Sequence, residues 1–131
     1  MTDGTIKIDV APGELIDKIT ILEIKSDRME DPAKLKNVRA ELALLSETRD
    51  VEVPESAELE MLTERLREAN EALWVIEDDI RACEAAGDFG ETFVELARSV
   101  YRTNDERARI KREINELLGS AIVEEKSYKP Y

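Results

Sequence analysis

Residues 55–85 read ESAELEMLTERLREANEALWVIEDDIRACEA, and within them Leu59, Leu62, Leu66, Ala69, Leu73, Ile76, Ile80 and Cys83 recur at alternating spacings of three and four. That spacing lines apolar side chains along one side of an α-helix and leaves the intervening acids and arginines to solvent. It predicts one long helix from about Glu55 to Ala85. The same rhythm returns in Phe93, Leu96, Val100, Thr103, Arg107, Ile110, Ile114 and Leu117, which predicts a second long helix over about 91–118, with Gly119 as its C-cap. Only Gly87-Asp88-Phe89-Gly90 separates the two. So short a turn forces them to lie antiparallel as a hairpin.

Upstream, Leu35, Val38, Leu42 and Leu45 form a narrower stripe on a helix that starts with Asp31 as N-cap and Pro32 as its first residue. This stripe fades into Ser46–Pro54, and residues 49–55 read as an exposed connection. A further helix runs from about Glu14 to Met29, opened by Pro12. Its apolar residues fall on two sides, Leu15, Ile16, Ile19 and Leu22 on one, Ile21 and Ile24 nearly opposite. Such a helix is buried on both, by its own chain or by a second copy. Ile6, Ile8 and Val10 alternate with Lys7 and Asp9 like a short strand, and residues 120–125 offer a second. The expected fold is therefore mainly α: one domain over residues 1–131, an antiparallel helical hairpin or bundle with a minor two-stranded terminal ribbon.

The chain has 131 residues, 42% of them apolar, enough for a modest single core. No apolar run approaches the roughly 18 residues of a membrane span, and MTDGTIKIDV lacks the marks of a leader, so the expectation is a cytoplasmic protein. Histidine is absent. That excludes Ser-His-Asp and Cys-His nucleophilic sites and the usual histidine-containing zinc sites. Catalysis would have to run on Asp, Glu, Lys, Arg, Tyr or a hard metal ion. The lone Cys83 lies in phase with leucines and isoleucines and reads as a small buried apolar residue.

Net charge is −12, and residues 41–91 carry all of it, with 16 acidic and 4 basic side chains against 15 of each elsewhere. An acidic surface repels nucleic acid and anionic membranes, so neither is expected as a partner. Six cations between Arg98 and Arg112 read as the counterpart of the acidic long helix.

Two polar stretches stand out from the apolar pattern. On the doubly buried helix, Asp17, Lys18, Glu23 and Lys25 must be partly enclosed, and Lys18 and Lys25, two turns apart on one stripe, could converge on an acidic partner or an anionic ligand. On the last helix, Thr103 and Arg107 fill core positions beside Tyr101, Asn104, Asp105, Lys111 and Asn115. Buried polar groups need partners. Antiparallel geometry offers them on the facing helix in Trp74, Glu77, Asp78, Arg81 and Glu84. Such a layer either fixes hairpin register or forms a binding pocket. Glu14-x-x-Asp17 and Glu68-x-x-Glu71 carry carboxylates at the spacing magnesium-dependent helical pyrophosphatases use, but in reversed order, and in a chain this acidic such pairs arise by chance. Magnesium needs only one or two carboxylates plus substrate phosphates, so the sequence leaves it open. No phosphate-binding glycine loop is present, and no cofactor or metal is assigned.

VAPGELIDKITILEIK (10–25), Leu73-Trp74 with Glu77-Asp78, LARSVY (96–101) with Asn104-Asp105, and Gly119-Ser120 with EEKSY (124–128) resemble a bacterial, mainly proteobacterial, family of unknown function. The resemblance implies no activity, but it concentrates on the two polar stretches and skips the acidic connection. The expectation is a small binding or assembly module, a homodimer that takes a protein partner or a small anionic ligand. The alternative is an enzyme with its site between the long helices, where Lys18, Arg81, Arg107 and Lys111 hold a phosphorylated or carboxylated metabolite, with or without magnesium.

Overall fold

A computed structural model describes residues 3–131 and contains four helices: α1 (Pro12–Arg28), α2 (Pro32–Glu52), α3 (Ala57–Ala86) and α4 (Glu91–Leu117). The start of α2 is fixed as its sequence requires, with the Asp31 carboxylate accepting from the Ala33 amide at 3.0 Å and Pro32 at the first turn. Ser56 does the same for α3, its hydroxyl accepting from the Leu59 amide at 3.1 Å. At the hairpin, Gly87 takes the left-handed conformation at φ 67°, which lets the Asp88 amide donate back to the Cys83 carbonyl at 2.9 Å.

α3 and α4 pack along each other as the expected antiparallel hairpin, and α1 lies in the groove between them. α2 packs against α1 alone among the helices. α1 is thus enclosed on both sides by its own chain, which accounts for its two apolar faces: Ile16, Ile19 and Leu22 are buried, and so is Ile24. Ile21, nearly in line with Ile24, is half-buried, so the single chain covers most of the patch that a bare Ile21 and Ile24 would leave. The core sits where α1 meets the hairpin, with Ile16, Leu59, Leu62, Leu66, Ile110 and Ile114 in one cluster. Full burial of each such side chain stabilises by about 1.5–3 kcal/mol. Cys83 is buried, as its register predicts.

Two expectations change. Residues 49–52 are not a connection: α2 continues through Glu52 and stops because Pro54 forces Val53 into extended backbone at φ −115°, ψ 117°. Nor is there a terminal ribbon, because the described residues contain no strand. Ile6 and Ile8 stand 86% and 74% exposed, with no helix behind them to make a two-stranded pair worth forming. Among the described residues no helix is long and apolar enough to cross a membrane.

Candidate functional site

The buried polar layer is real, but it joins α1 to the hairpin rather than α3 to α4. Asp17 is 1% exposed, between the apolar residues Ile16 and Ile19. Arg107 grips it with both arms of its fork, Nε donating to Oδ1 at 2.9 Å and Nη2 to Oδ2 at 2.5 Å. From α3, Asn70 Nδ2 donates to Asp17 Oδ1 and to Thr20 Oγ1, each at 2.9 Å, and the Thr20 hydroxyl donates to the Asp17 carbonyl at 2.8 Å. Hydrogen bonding to Asp17 holds the Arg107 guanidinium more firmly protonated than a free arginine, against the opposing effect of burial. Among the described residues no buried side-chain nitrogen or oxygen lacks a partner. Closed and satisfied in this way, the layer fixes the position of α1 in its groove.

A second clamp lies one turn further along α4. Lys111 Nζ lies 2.7 Å from Glu14 Oε2 and 3.2 Å from Glu124 Oε2, with its side chain 10% exposed. Burial works to depress this ammonium, but the Glu14 bond and the charges of Asp17 and Glu14 outweigh it, so its pKa is raised. Glu124 is lowered in turn, chiefly by its hydrogen bond from Lys111. The Gly13 amide donates to Asn115 Oδ1 at 2.7 Å. Here the helices touch so closely that a Cβ on Gly13 would fall 2.5 Å from the Lys111 carbonyl oxygen.

These contacts revise the expected pairing. Arg107 finds its acid on α1, not among Glu77, Asp78 or Glu84 of the facing helix. Nor do an acidic α3 and a basic α4 hold each other: the ion pairs between them run from Arg65 of α3 to Glu106 and Glu113 of α4. Lys18 and Lys25 part company. Lys18 lies 3.5 Å from Glu41 on α2, and Lys25 faces the hairpin. Glu23 is taken by Arg67 at 2.9 Å.

The remaining expected residues divide between two clefts that share Asn104 and Arg107 as a common wall. One, of about 470 Å³, lies between the C-terminal half of α1 and the hairpin and gathers Lys25, Trp74, Glu77, Asp78 and Arg81. Arg81 and Glu77 pair within it along α3 at 3.3 Å. The other, of about 880 Å³, lies between α4 and the chain that follows it. After Leu118, Gly119 at φ 66° reverses the backbone, and the tail returns along α4. Arg112 meets Glu125 at 3.3 Å, Lys111 meets Glu124, and the Tyr131 hydroxyl donates to Asp105 Oδ2 at 2.5 Å, with its ring edge-on to Tyr101 at 5.0 Å. The bond to Asp105 raises the Tyr131 pKa. Tyr101, Asp105 and Lys111 line this cleft together with Lys126, Tyr128 and Lys129 of the tail.

Sequence reasoning passed over Asn70 and Thr20 in the layer, and Glu14 and Glu124 in the second clamp. Asn70 carried a signal: it stands four residues after Leu66 and three before Leu73, inside the apolar seam. Among the described residues no three acids or thiols gather into a group that could hold a metal ion. Of the two acidic spacing pairs, Glu14 and Asp17 are engaged by Lys111 and Arg107, and Glu71 by Arg28 at 2.6 Å.

No curated protein and no solved structure matches this chain. Residues 6–131 match the Family of unknown function (DUF6165), and the chain belongs to that family.

Proposed function

We propose that the protein is a binding module for a small anionic molecule, one that carries a phosphate or carboxylate group, held between α4 and the returning tail. One observation carries this reading. In a chain of net charge −12, this cleft is lined by the cations Arg107, Arg109, Lys111, Lys126 and Lys129 against the single acid Asp105, and by all three tyrosines, Tyr101, Tyr128 and Tyr131.

The cations differ in what they can offer. Arg107, Arg109 and Lys111 are engaged with Asp17, Glu106 and Glu14, so they contribute field rather than free donors. Lys126 shares Glu124 at 3.5 Å and stays 43% exposed, and Lys129 forms no ion pair among the described residues. The Lys129 ammonium, the exposed Lys126 ammonium with its one long contact to Glu124, and the Tyr101 and Tyr128 hydroxyls are the groups best placed to meet an anion. A local cationic pocket in an acidic surface also concentrates small anions from solution. The tyrosine rings favour a ligand with a flat or apolar body behind its charge.

Calorimetric titration at low ionic strength with pyrophosphate and, separately, citrate tests the proposal. Saturable binding of at least one is expected, weakened at least tenfold in the double variant Lys126→Glu/Lys129→Glu. Both side chains are partly or fully exposed, so the variant keeps its helical circular dichroism. Pyrophosphate alone would assign a phosphorylated ligand, citrate alone a carboxylated one. Binding of neither at millimolar concentration, or unchanged affinity in the double variant, overturns the reading.

A further inference from the structure

The layer that closes on Asp17 is open on its outer side. Asn70 is only 5% exposed, and its amide nitrogen is spent on Asp17 Oδ1 and Thr20 Oγ1. An ionised carboxylate only accepts, so the amide must turn its nitrogen to Asp17 and its oxygen away. Among the described residues nothing donates to that oxygen, and no fully buried side-chain oxygen goes unpaired. The Asn70 oxygen therefore reaches the cleft that Asn70 lines, the space of about 470 Å³ between the C-terminal half of α1 and the hairpin. An acceptor set this deep without a donor is a place for a donor from outside the chain.

The walls around it carry both signs of charge, with some of each left over. Arg107 spends Nε and Nη2 on Asp17, and its Nη1 has only Asn104 Oδ1 at 3.5 Å. Lys25 is half-buried and forms no ion pair among the described residues. On the acidic side, Glu77 is shared with Arg81 at 3.3 Å, whereas Asp78 forms no ion pair among the described residues. Ile21, Ile24 and Leu73 supply apolar surface between the charges, and Trp74 adds a half-buried indole whose N–H donates to nothing in the chain.

We propose that this cleft binds a small zwitterion with an apolar body, the chemistry of an α-amino acid. Its ammonium meets the Asn70 oxygen and Asp78, its carboxylate meets Lys25 and the outer N–H groups of Arg107, and its side chain packs on Trp74 and Leu73. A simple anion would face Glu77 and Asp78, and a simple cation would face Lys25, Arg81 and Arg107, so a ligand that carries both charges is the one that leaves neither set repelled. The volume falls within the roughly 300–1,000 Å³ of small-molecule sites. The inference is independent of the tail cleft, which sets five cations against one acid.

Trp74 is the sole tryptophan and lines the cleft, so its fluorescence reports occupancy directly. The full chain is titrated with L-leucine and L-phenylalanine to about 10 mM, which covers the micromolar-to-millimolar affinities of so small a ligand. A saturable change is expected with at least one of them. For L-leucine, 4-methylpentanoate, which lacks the ammonium, and L-leucinamide, which lacks the carboxylate, should each bind at least about tenfold more weakly, as the loss of one charged hydrogen-bonding group implies. Lys25→Met and Asp78→Asn should each weaken binding of the amino acid by a similar factor with helical circular dichroism unchanged, since neither side chain has an ion partner to lose. Lys126→Glu/Lys129→Glu should leave it unaltered. No saturable change with either amino acid overturns the inference, as does binding that ignores the missing ammonium or carboxylate, survives both cleft variants undiminished, or is lost in the tail variant.

Discussion

Replacing Asp17 with Asn tests what holds α1 in its groove, because it keeps the shape of the side chain and removes only its charge. Two hydrogen bonds to Arg107 lose their charged acceptor, and the new amide places a donor against the donors of Arg107 or Asn70. Hydrogen bonds to charged groups contribute about 1.5–3 kcal/mol each. The Arg107 side chain is 28% exposed, so water recovers part of its loss and the lower end applies, roughly 3 kcal/mol. For a domain of this size that lowers the melting temperature by about 10 °C. Urea unfolding followed by circular dichroism and by the fluorescence of Trp74 measures it. The control is Glu71→Gln, which removes the partner of the exposed Arg28 and should cost less than about 1 kcal/mol. Replacing both members of the buried pair, as Asp17→Leu/Arg107→Met, should restore most of the loss, since an apolar pair carries no desolvation cost. Equal effects of Asp17→Asn and Glu71→Gln would refute the reasoning.

Gly13→Ala inverts the usual helix preference: alanine gains about 1 kcal/mol in an open helix, but here its Cβ must displace α1 from the Lys111 carbonyl, so a net loss in denaturant melts is expected. Asn104 is exposed and its one hydrogen bond, from Arg107, is 3.5 Å long, so Asn104→Ala should change stability by less than about 0.5 kcal/mol in the same melts. Tail docking should depend on pH at both ends, read by limited proteolysis after Leu118. Tyr131 and Lys111 have raised folded values, so their contribution is complete below their ordinary values of about 10 and 10.4 and fades as pH rises through the folded ones; Glu124 is lowered, so its contribution is complete above about 4.3 and fades as pH falls.

The hairpin was legible because its signal repeats: eight positions from Leu59 to Cys83 agree on one helical side, and a four-residue turn leaves one way to join the helices. The ion pairing was not legible. Charge totals along α3 and α4 say nothing about a third helix entering between them, and the register that exposed Arg107 as a core cation gave no direction for its partner. Asp17 was visible as an acid on a helix apolar on two sides, yet only the packed groove reveals that Arg107 and Asn70 reach it from both walls. The tail reads as a strand over 120–125, but its residues pair with no other strand, and Glu124, Glu125 and Tyr131 become anchors solely through the residues of α4 they meet. For the same reason the cleft lined by Lys126, Tyr128 and Lys129 appears only in three dimensions.

The most direct test of the proposed site is a backbone amide NMR titration of the uniformly labelled chain with pyrophosphate at low ionic strength. Saturable shifts confined to about residues 101–111 and 126–131, with α2 and the first two turns of α3 silent, are the predicted result. Shifts centred on Lys25, Trp74 and Arg81 would place the anion in the other cleft, and changes that grow without saturation across scattered lysines would contradict a built site altogether.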